Sequence, residues 1–556
     1  MDILKKDDRV RELLTPTRVV ASYNAKNEAV FTDESVPTQV LYTYTNENAC
    51  ELKKGSWVLL DFGREINGSI RIITNYIQSE IKSVSNAEIR ISLGESVSEA
   101  MSSIGEKNAT NNHTPRDIKM LLSRMGGAEY GESGFRFARI EVLSDVTVGI
   151  QKVYAIYTHD GAPMLGSFEC NDSLLNDIWK TGTYNVYLNM QNYLFDGIKR
   201  DRLVWIGDMH PEVSTICTTF GKHKCVERSL DFVRDTTPRD AWMNGIATYS
   251  MWWVIIHYDW YMHWGDFEYL SQQKDYLMYT AQKAVKWVNS GYPRTGGSML
   301  YFVDWSSADS ESEIEGVKAL FALGLSRMAK LLELLDEKVL AEECKKYSEV
   351  IKAEKSQRTV NKRIAALNVL ADRYTGREVE SLTGNSAEEM SCFLGYYILL
   401  AKQGLVDCGK DSCENIFEVI RKFWGGMLSM GATAFWEDFD IKWLENSYRI
   451  DELQVEGKND IHGYFGKYCY KQLRHSLCHG WASGPTAYLS SYVLGVEIME
   501  AGCKKIAINP HLGNLKWVKG TYPTPYGVVE IEHNVDNFGR VVSKINAPLE
   551  IKVIYK

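Results

Sequence analysis

The chain has 556 residues, which at roughly 150 residues per domain amounts to three or four units and excludes a single small module. Its 63 Lys and Arg against 72 Asp and Glu leave a net charge of −9. That is the wrong sign for a surface that binds nucleic acid by releasing counterions, and an ordinary balance for an enzyme with an uncharged substrate.

The first residues, MDILKKDDRVRELL, carry charge where a signal peptide needs an apolar segment, so the chain is expected to be cytoplasmic. Up to about residue 160 the texture is β. Stretches 56–62 (SWVLLDF), 69–74 (SIRIIT), 87–93 (AEIRISL) and 135–143 (FRFARIEVL) alternate in polarity and are separated by Gly, Asn and Ser turns. Short strands without intervening helices predict a sandwich. The polar stretch 97–116 predicts a long loop. From about residue 171 the period changes to three and four: 174–188, 251–261, 314–335 and 390–401 predict helices, and 337–354 an amphipathic one with a solvated face. This region, with room for ten to twelve helices, has no 34- or 40-residue repeat, which favours a closed toroid over a solenoid. After residue 495 short strands return at 505–508, 515–519, 527–533 and 551–555, with Pro510, Gly513, Pro523 and Pro525 at the turns. The expected architecture is a multidomain α and β chain: an N-terminal β-sandwich (1–163), an (α/α)6 toroid (164–495) and a small C-terminal β-sandwich domain (496–556).

No run approaches the ~20 apolar residues of a membrane span. The 11 cysteines are scattered without a C-x-x-C pair, which predicts reduced thiols rather than disulfides or a zinc ribbon. The 15 Trp, 31 Tyr and 18 Phe make up 12% of the chain. Two readings of that surplus stand open, a large core and the wall of a sugar-binding cleft, since aromatic rings serve both.

The densest polar stretch is 195–212, FDGIKRDRLVWIGDMHPE. Were it helical, Asp201, Trp205, Asp208 and Glu212 would share a face, but Pro211 opposes a continuous helix and suits the first turn of a new one. A charged loop entering a helix suits catalytic groups; a salt-bridged surface loop is the alternative. A second cluster, 431–440 (GATAFWEDFD), reads either as a carboxylate held behind an aromatic or as an acidic helix start. In a third, 474–485 (RHSLCHGWASGP), His475 and His479 could share a helix face, but no H-E-x-x-H or cysteine pair accompanies them. A hydrogen-bonding role toward substrate, or for His475 a place in the core, is the better reading. Trp305 follows Asp304, an aromatic and carboxylate pair that suits a sugar. For the aromatic run 252–264, core packing is the better reading. No Walker loop, dinucleotide fingerprint or G-x-S-x-G elbow is present, which leaves carboxylate chemistry without a cofactor or metal.

These motifs, in this order, resemble the bacterial α-L-rhamnosidases of glycoside hydrolase family 78. The family signature D-C-P-x-R-[D]-E-x-x-G-W-x-G-D is similar to DGIKRDRLVWIGD at Asp196, Arg200, Trp205, Gly207 and Asp208. The T-[TS]-x-W-E motif is similar to Thr433-Ala434-Phe435-Trp436-Glu437, and S-L-x-H to Ser476-Leu477-Cys478-His479. The flanks 57–68, 90–96 and 503–526 resemble the family's outer β-domains.

The resemblance implies inverting hydrolysis of terminal α-L-rhamnosides, with Glu437 as general base and Asp201 as general acid. It further implies that Asp196, Arg200, Trp205, Asp208, Trp305, Trp436 and His479 line the sugar site. The chain departs from the pattern in holding Asp201 where the motif has Glu, and Gly197-Ile198 where it has Cys-Pro. Arg200 and Arg202 flank Asp201, and cations lower a carboxyl's pKa, so Glu212 and Asp438 stand as alternative acids. The alternative functions are another (α/α)6 glycosidase or a phosphorylase of different sugar specificity, or a catalytically impaired carbohydrate-binding protein.

Overall fold

The computed structural model describes residues 7–40, 48–80, 84–293, 299–305, 313–356 and 361–556. The chain divides into two compact units, one of residues 1–161, 187–203 and 427–479, the other of residues 162–186, 204–426 and 480–556.

The first unit is built on one eight-stranded sheet: β1 (Val10–Leu14), β2 (Arg18–Tyr23), β3 (Cys50–Lys53), β4 (Trp57–Gln78), β5 (Asn86–Gly94), β6 (Asp117–Ser123), β7 (Gly126–Val142) and β8 (Thr147–His159). Its order is β1-β8-β4-β7-β5-β6, with β2 on β4 and β3 on β8, and all these pairs are antiparallel. The two strands expected at 56–62 and 69–74 are one 22-residue strand. DFGREING is not a turn but an irregularity inside β4: its register against β7 shifts between Asp61 and Ile66, and Gly63 takes a positive φ of 81°. Most of β4 is buried on consecutive residues, so both of its faces are covered. The expected loop 97–116 contains a short helix, Val97–Met101, whose N-cap Ser96 accepts from the Glu99 N–H.

In this unit a lysine joins sheet and loops. Lys199, 6% exposed, sets its ammonium 2.9 Å from Glu95 and 3.2 Å from Glu99. It also donates to the carbonyls of Leu473 (3.3 Å) and His475 (2.5 Å). Burial pushes the Glu95 carboxyl up to about 7 against the pull of Lys199.

The second unit carries the helices. Among the described residues, twelve α-helices lie between 173 and 429. Ser173–Asn189, Ala247–Trp264, Glu313–Leu334 and Lys338–Ala353 stand where the period predicts them. The helix expected at 390–401 runs instead over Gly395–Asp407, because Ser391 holds the preceding turn by accepting from the Leu394 N–H at 3.1 Å. The aromatic run on Ala247–Trp264 is core, with Trp252, Trp253, Trp260 and Trp264 buried. The C-terminal strands form a three-stranded sheet (Val496–Glu500, Lys505–Ile508, Lys552–Tyr555) and a four-stranded sheet (Ser167–Cys170, Trp517–Thr524, Gly527–Val535, Val541–Asn546). Ser167–Cys170 comes from the other end of this unit's sequence; four residues, SFEC, give too short a pattern to read as a strand. No described helix is long and apolar enough to cross a membrane.

Two predictions concern stability. Lys199→Met strands two buried carboxylates, so it should cost on the order of 3–5 kcal/mol, read as the urea midpoint; a loss under about 1 kcal/mol would contradict the role given to Lys199. His257 is buried against Trp253 and Tyr269, and burial, then Arg234, lowers its pKa to about 3. The unfolded chain therefore takes up this proton more readily: the contribution is complete above pH 6.5 and is lost as pH falls toward 3, at up to ~1.4 kcal/mol per pH unit. His257→Phe should flatten the fall of the melting temperature between pH 6.5 and 4, and an unchanged slope would show that His257 titrates alike in the folded and the unfolded chain.

Candidate active site

Within the first unit, residues 196–203 form a tight turn. The Asp196 N–H donates to the Leu203 carbonyl (3.1 Å), and the Leu203 N–H donates to Asp196 Oδ1 (2.8 Å). At its apex Asp201 and Arg202 adopt positive φ of 59° and 55°, a left-handed conformation that costs L-residues roughly 1–2 kcal/mol each. The sheet holds the turn in place. Arg202 donates to Asn67 on β4 (2.7 Å), to Glu132 on β7 (2.9 Å) and to the Ile198 carbonyl (2.7 Å). Gly134 lets β7 approach closely, since a Cβ there would stand 2.7 Å from the Lys199 nitrogen.

The second motif is positioned from the same sheet. Asp61 pairs with Arg136, whose Nη1 donates to the Gly431 carbonyl at 2.9 Å, and Thr433 Oγ1 accepts from the Glu65 N–H at 2.8 Å. Glu437 is 4% exposed. Its N–H donates to the Ser476 carbonyl (3.0 Å), and the Ser476 N–H returns to Glu437 Oε2 (3.1 Å). The reciprocal pair fixes both the backbone and the carboxylate, and Glu95 fixes the far side by accepting from the Leu477 N–H at 2.6 Å.

Arg200 joins the two motifs. Its Nη1 lies 3.7 Å from Asp201 Oδ1, and its Nη2 meets Glu437 Oε1. His479 is bridged in the backbone to Gly197, and its Nε2 lies 3.7 Å from both Asp196 Oδ2 and Glu437 Oε1. Burial, then Arg200, holds the His479 pKa well below the usual histidine value, so the ring is neutral. The segment 475–479 is not helical, so its two histidines do not share a helix face. His475 is a satisfied core residue: its Nε2 accepts from the Asp438 N–H at 2.8 Å, and burial, then His462, keeps it neutral. Trp436 is also buried, edge-on to Phe439 and His475. Asp438, one alternative acid, is half-buried beside it. Glu95, Glu99 and His462 offer donor atoms within 4.8 Å of one another, but the Lys199 ammonium already stands among them, so these residues suit an ion pair rather than a metal.

Within the second unit, Trp205 and Asp208 lead into the helix Met209–Thr219, with Pro211 in its first turn. The Asp208 N–H donates to the Trp205 carbonyl (3.0 Å), and Asp208 Oδ1 accepts from the Tyr249 hydroxyl (2.7 Å). Tyr249 stands edge-on to Trp205 and Phe302, and Phe302 edge-on to Trp305. A Cβ at Gly207 would fall 2.2 Å from the Tyr249 ring, which explains the glycine. Asn244 clamps the loop, accepting from the Ile206 N–H (3.0 Å) and donating to the Val204 carbonyl (3.1 Å). The other alternative acid, Glu212, is wholly buried and packed against Gly480, where a Cβ would fall 1.3 Å from its Oε1. Tyr249, Asn244, Lys199 and His113, whose Nε2 lies 3.1 Å from Asp201 Oδ1, escaped the sequence reading. Lys199 lay inside a quoted motif, whereas nothing local marks His113.

Residues 163–366 match the bacterial alpha-L-rhamnosidase 6 hairpin glycosidase domain, and residues 495–553 match the bacterial alpha-L-rhamnosidase C-terminal domain. An alpha-L-rhamnosidase of Formosa agariphila is 23% identical over 175 residues, 31% of this chain and 18% of that protein. The family 78 rhamnosidase of Bacillus sp. GL1 aligns with a TM-score of 0.73 and 18% identity, covering 90% of this chain and 53% of that one. The rhamnosidase from Klebsiella oxytoca with rhamnose bound aligns at 0.67 and 19% identity, covering 87% and 96% of the two chains. The chain thus spans about half the length of the Bacillus enzyme, and its match covers less than a fifth of the Formosa protein. Likeness at this level shows a shared fold: an N-terminal sheet domain, a six-hairpin helical domain and a small C-terminal sheet domain. Over these two segments, the chain is similar to the bacterial α-L-rhamnosidases.

Proposed function

We propose that the chain hydrolyses terminal α-L-rhamnosides, or glycosides of a closely related sugar, with inversion. The observation that carries this reading is that one guanidinium, Arg200, meets both Asp201 and Glu437. Two carboxylates within the compass of one guanidinium are compatible with the ~6.5–9.5 Å gap of an inverting pair, which leaves room for the attacking water. Glu437 is the base. Arg200 and the Ser476 N–H stabilise its ionised form, so it is ready to take a proton from water as the glycosidic bond opens. Asp201 is the acid, delivering its proton to the leaving oxygen; its left-handed backbone advances a side chain one methylene shorter than the glutamate of the family motif.

In this reading Asp196, Arg200 and His479 contact the sugar, the neutral His479 as a hydrogen-bonding group. Trp436 backs Glu437 from the core. The helical body at 164–495 carries the activity and the regions 1–163 and 496–556 support it. A cytoplasmic setting fits the cysteines, all of which are free thiols and nine of them buried.

The experiment is cleavage of a panel of aryl glycosides, α-L-rhamnoside among them, by wild type, Asp201→Asn and Glu437→Gln. The α-L-rhamnoside should be the preferred substrate, and each variant should lose about 100-fold or more in kcat. Cleavage of another sugar only, or a fully active Asp201→Asn, would overturn the assignment. Wild type that binds rhamnose and cleaves nothing would make the chain a binding protein.

A further inference from the structure

Asp201 has a neighbour outside both motifs. His113 lies between the Val97–Met101 helix and β6, with a positive φ of 71°. The adjacent Thr114 hydroxyl donates to the Lys199 carbonyl at 2.8 Å and lies 2.8 Å from Ser133 Oγ. The backbone beside His113 is thereby tied to the turn that carries Asp201. His113 Nε2 then stands 3.1 Å from Asp201 Oδ1, with side chains 30% and 19% exposed respectively.

Among the described residues, charged and titratable groups reach Asp201 from its own turn and from the segments around 437 and 469–470. Arg200 reaches it from its own turn, 3.7 Å away. Cys469 and Tyr470 approach through Arg200, whose guanidinium lies over the Tyr470 ring at 5.4 Å, and Glu437 holds the other end of Arg200. Arg202 is turned away onto Glu132, Asn67 and the Ile198 carbonyl. Among these, His113 is the group within hydrogen-bonding distance of Asp201 that comes from outside its turn. A short side chain on a turn is held in one orientation by contacts from its surroundings, and His113 supplies one.

We propose that His113 positions the Asp201 carboxyl toward the leaving oxygen, a role that rests on the glycosidase reading above. Asp201 gives its proton to the leaving oxygen as the glycosidic bond breaks, and becomes a carboxylate. It takes a proton back from solvent, and Glu437 releases to solvent the proton it took from the attacking water, so protons balance over the cycle. His113 is a positioning residue: it acts through Asp201 and does not touch the sugar.

The test compares wild type, His113→Gln and His113→Ala on aryl α-L-rhamnosides with poor (phenyl) and good (2,4-dinitrophenyl) leaving groups. A dinitrophenolate departs without a proton, so only the phenyl substrate depends on Asp201. His113→Ala should lose about 100-fold in kcat on the phenyl substrate, His113→Gln, which keeps an N–H donor, should lose less, and both should stay within about 3-fold on the dinitrophenyl substrate and keep KM. Added imidazole should partly restore His113→Ala. An equal loss on both substrates would assign His113 a purely structural role, and no loss on the phenyl substrate would remove it altogether; either result overturns the inference while leaving the glycosidase reading intact. A wild type inactive on both substrates overturns that reading, and this inference with it.

Discussion

A buried ammonium is the constraint on which the rest of the first unit depends. The Lys199 ammonium needs partners where it is buried, because an unpaired buried ion costs several kcal/mol. It finds Glu95 and Glu99 at the end of β5 and on the adjoining helix, together with two carbonyls of the 473–475 segment. The same lysine is two residues before Asp201, and the same Glu95 accepts from Leu477, next to the Ser476 that grips Glu437. Satisfying one charge therefore sets the turn carrying Asp201, the segment carrying Glu437 and the N-terminal sheet in one register. A buried ion pair is a poor source of net stability, but it is intolerant of misplacement, and that specificity is what a pair of catalytic carboxylates requires.

The electrostatics sort carboxylates that sequence alone leaves equivalent. Glu95 is buried and pushed up to about 7, and Glu65 is raised further by burial and by the charge of Glu95. Glu437 is as deeply placed, yet it has a guanidinium and a backbone N–H upon it. Burial disfavours the charge in every case; what differs is the compensation. Glu95 answers to the Lys199 ammonium and to the Ser476 and Leu477 donors of the frame, whereas Glu437 takes its guanidinium from Arg200. The histidines separate in the same way: His462 and His475 are neutral members of the core, whereas His113 is partly exposed and faces a single carboxylate.

Much of the fold was legible because hydrophobic period survives in long elements. The helices at Glu313–Leu334 and Lys338–Ala353 and the strand Lys505–Ile508 stand where the pattern places them. Misreadings arose where local chemistry has two outcomes. The Gly63-Arg64-Glu65 sequence looks like a turn, yet here it interrupts the register of a continuing strand, which only the partner β7 decides. Ser167–Cys170 is too short for any period and exists because Trp517–Thr524 offers it an edge. In the candidate site, Arg200, Asp201 and Glu437 stand in local motifs that the sequence displays, whereas Asn67, Glu95, His113 and Glu132 reach the same turns from elsewhere in the N-terminal region. Such contacts span 70 to 382 positions, and no local pattern records them. The aromatic surplus likewise divides only in three dimensions: Trp252, Trp253 and Trp260 fill the helical core, and Trp205 and Trp305 flank Tyr249 and Phe302 beside Asp208.

The central claim, that Asp201 and Glu437 act as acid and base on water rather than as acid and nucleophile, fixes the stereochemistry of the product. Proton NMR of the first sugar released from an aryl α-L-rhamnoside, recorded before mutarotation, tests it directly. The account predicts the β-anomer first, with the α-anomer growing in only as the sugar equilibrates. Initial release of the α-anomer would mean retention, a covalent intermediate and a shorter carboxylate gap, and would contradict the account.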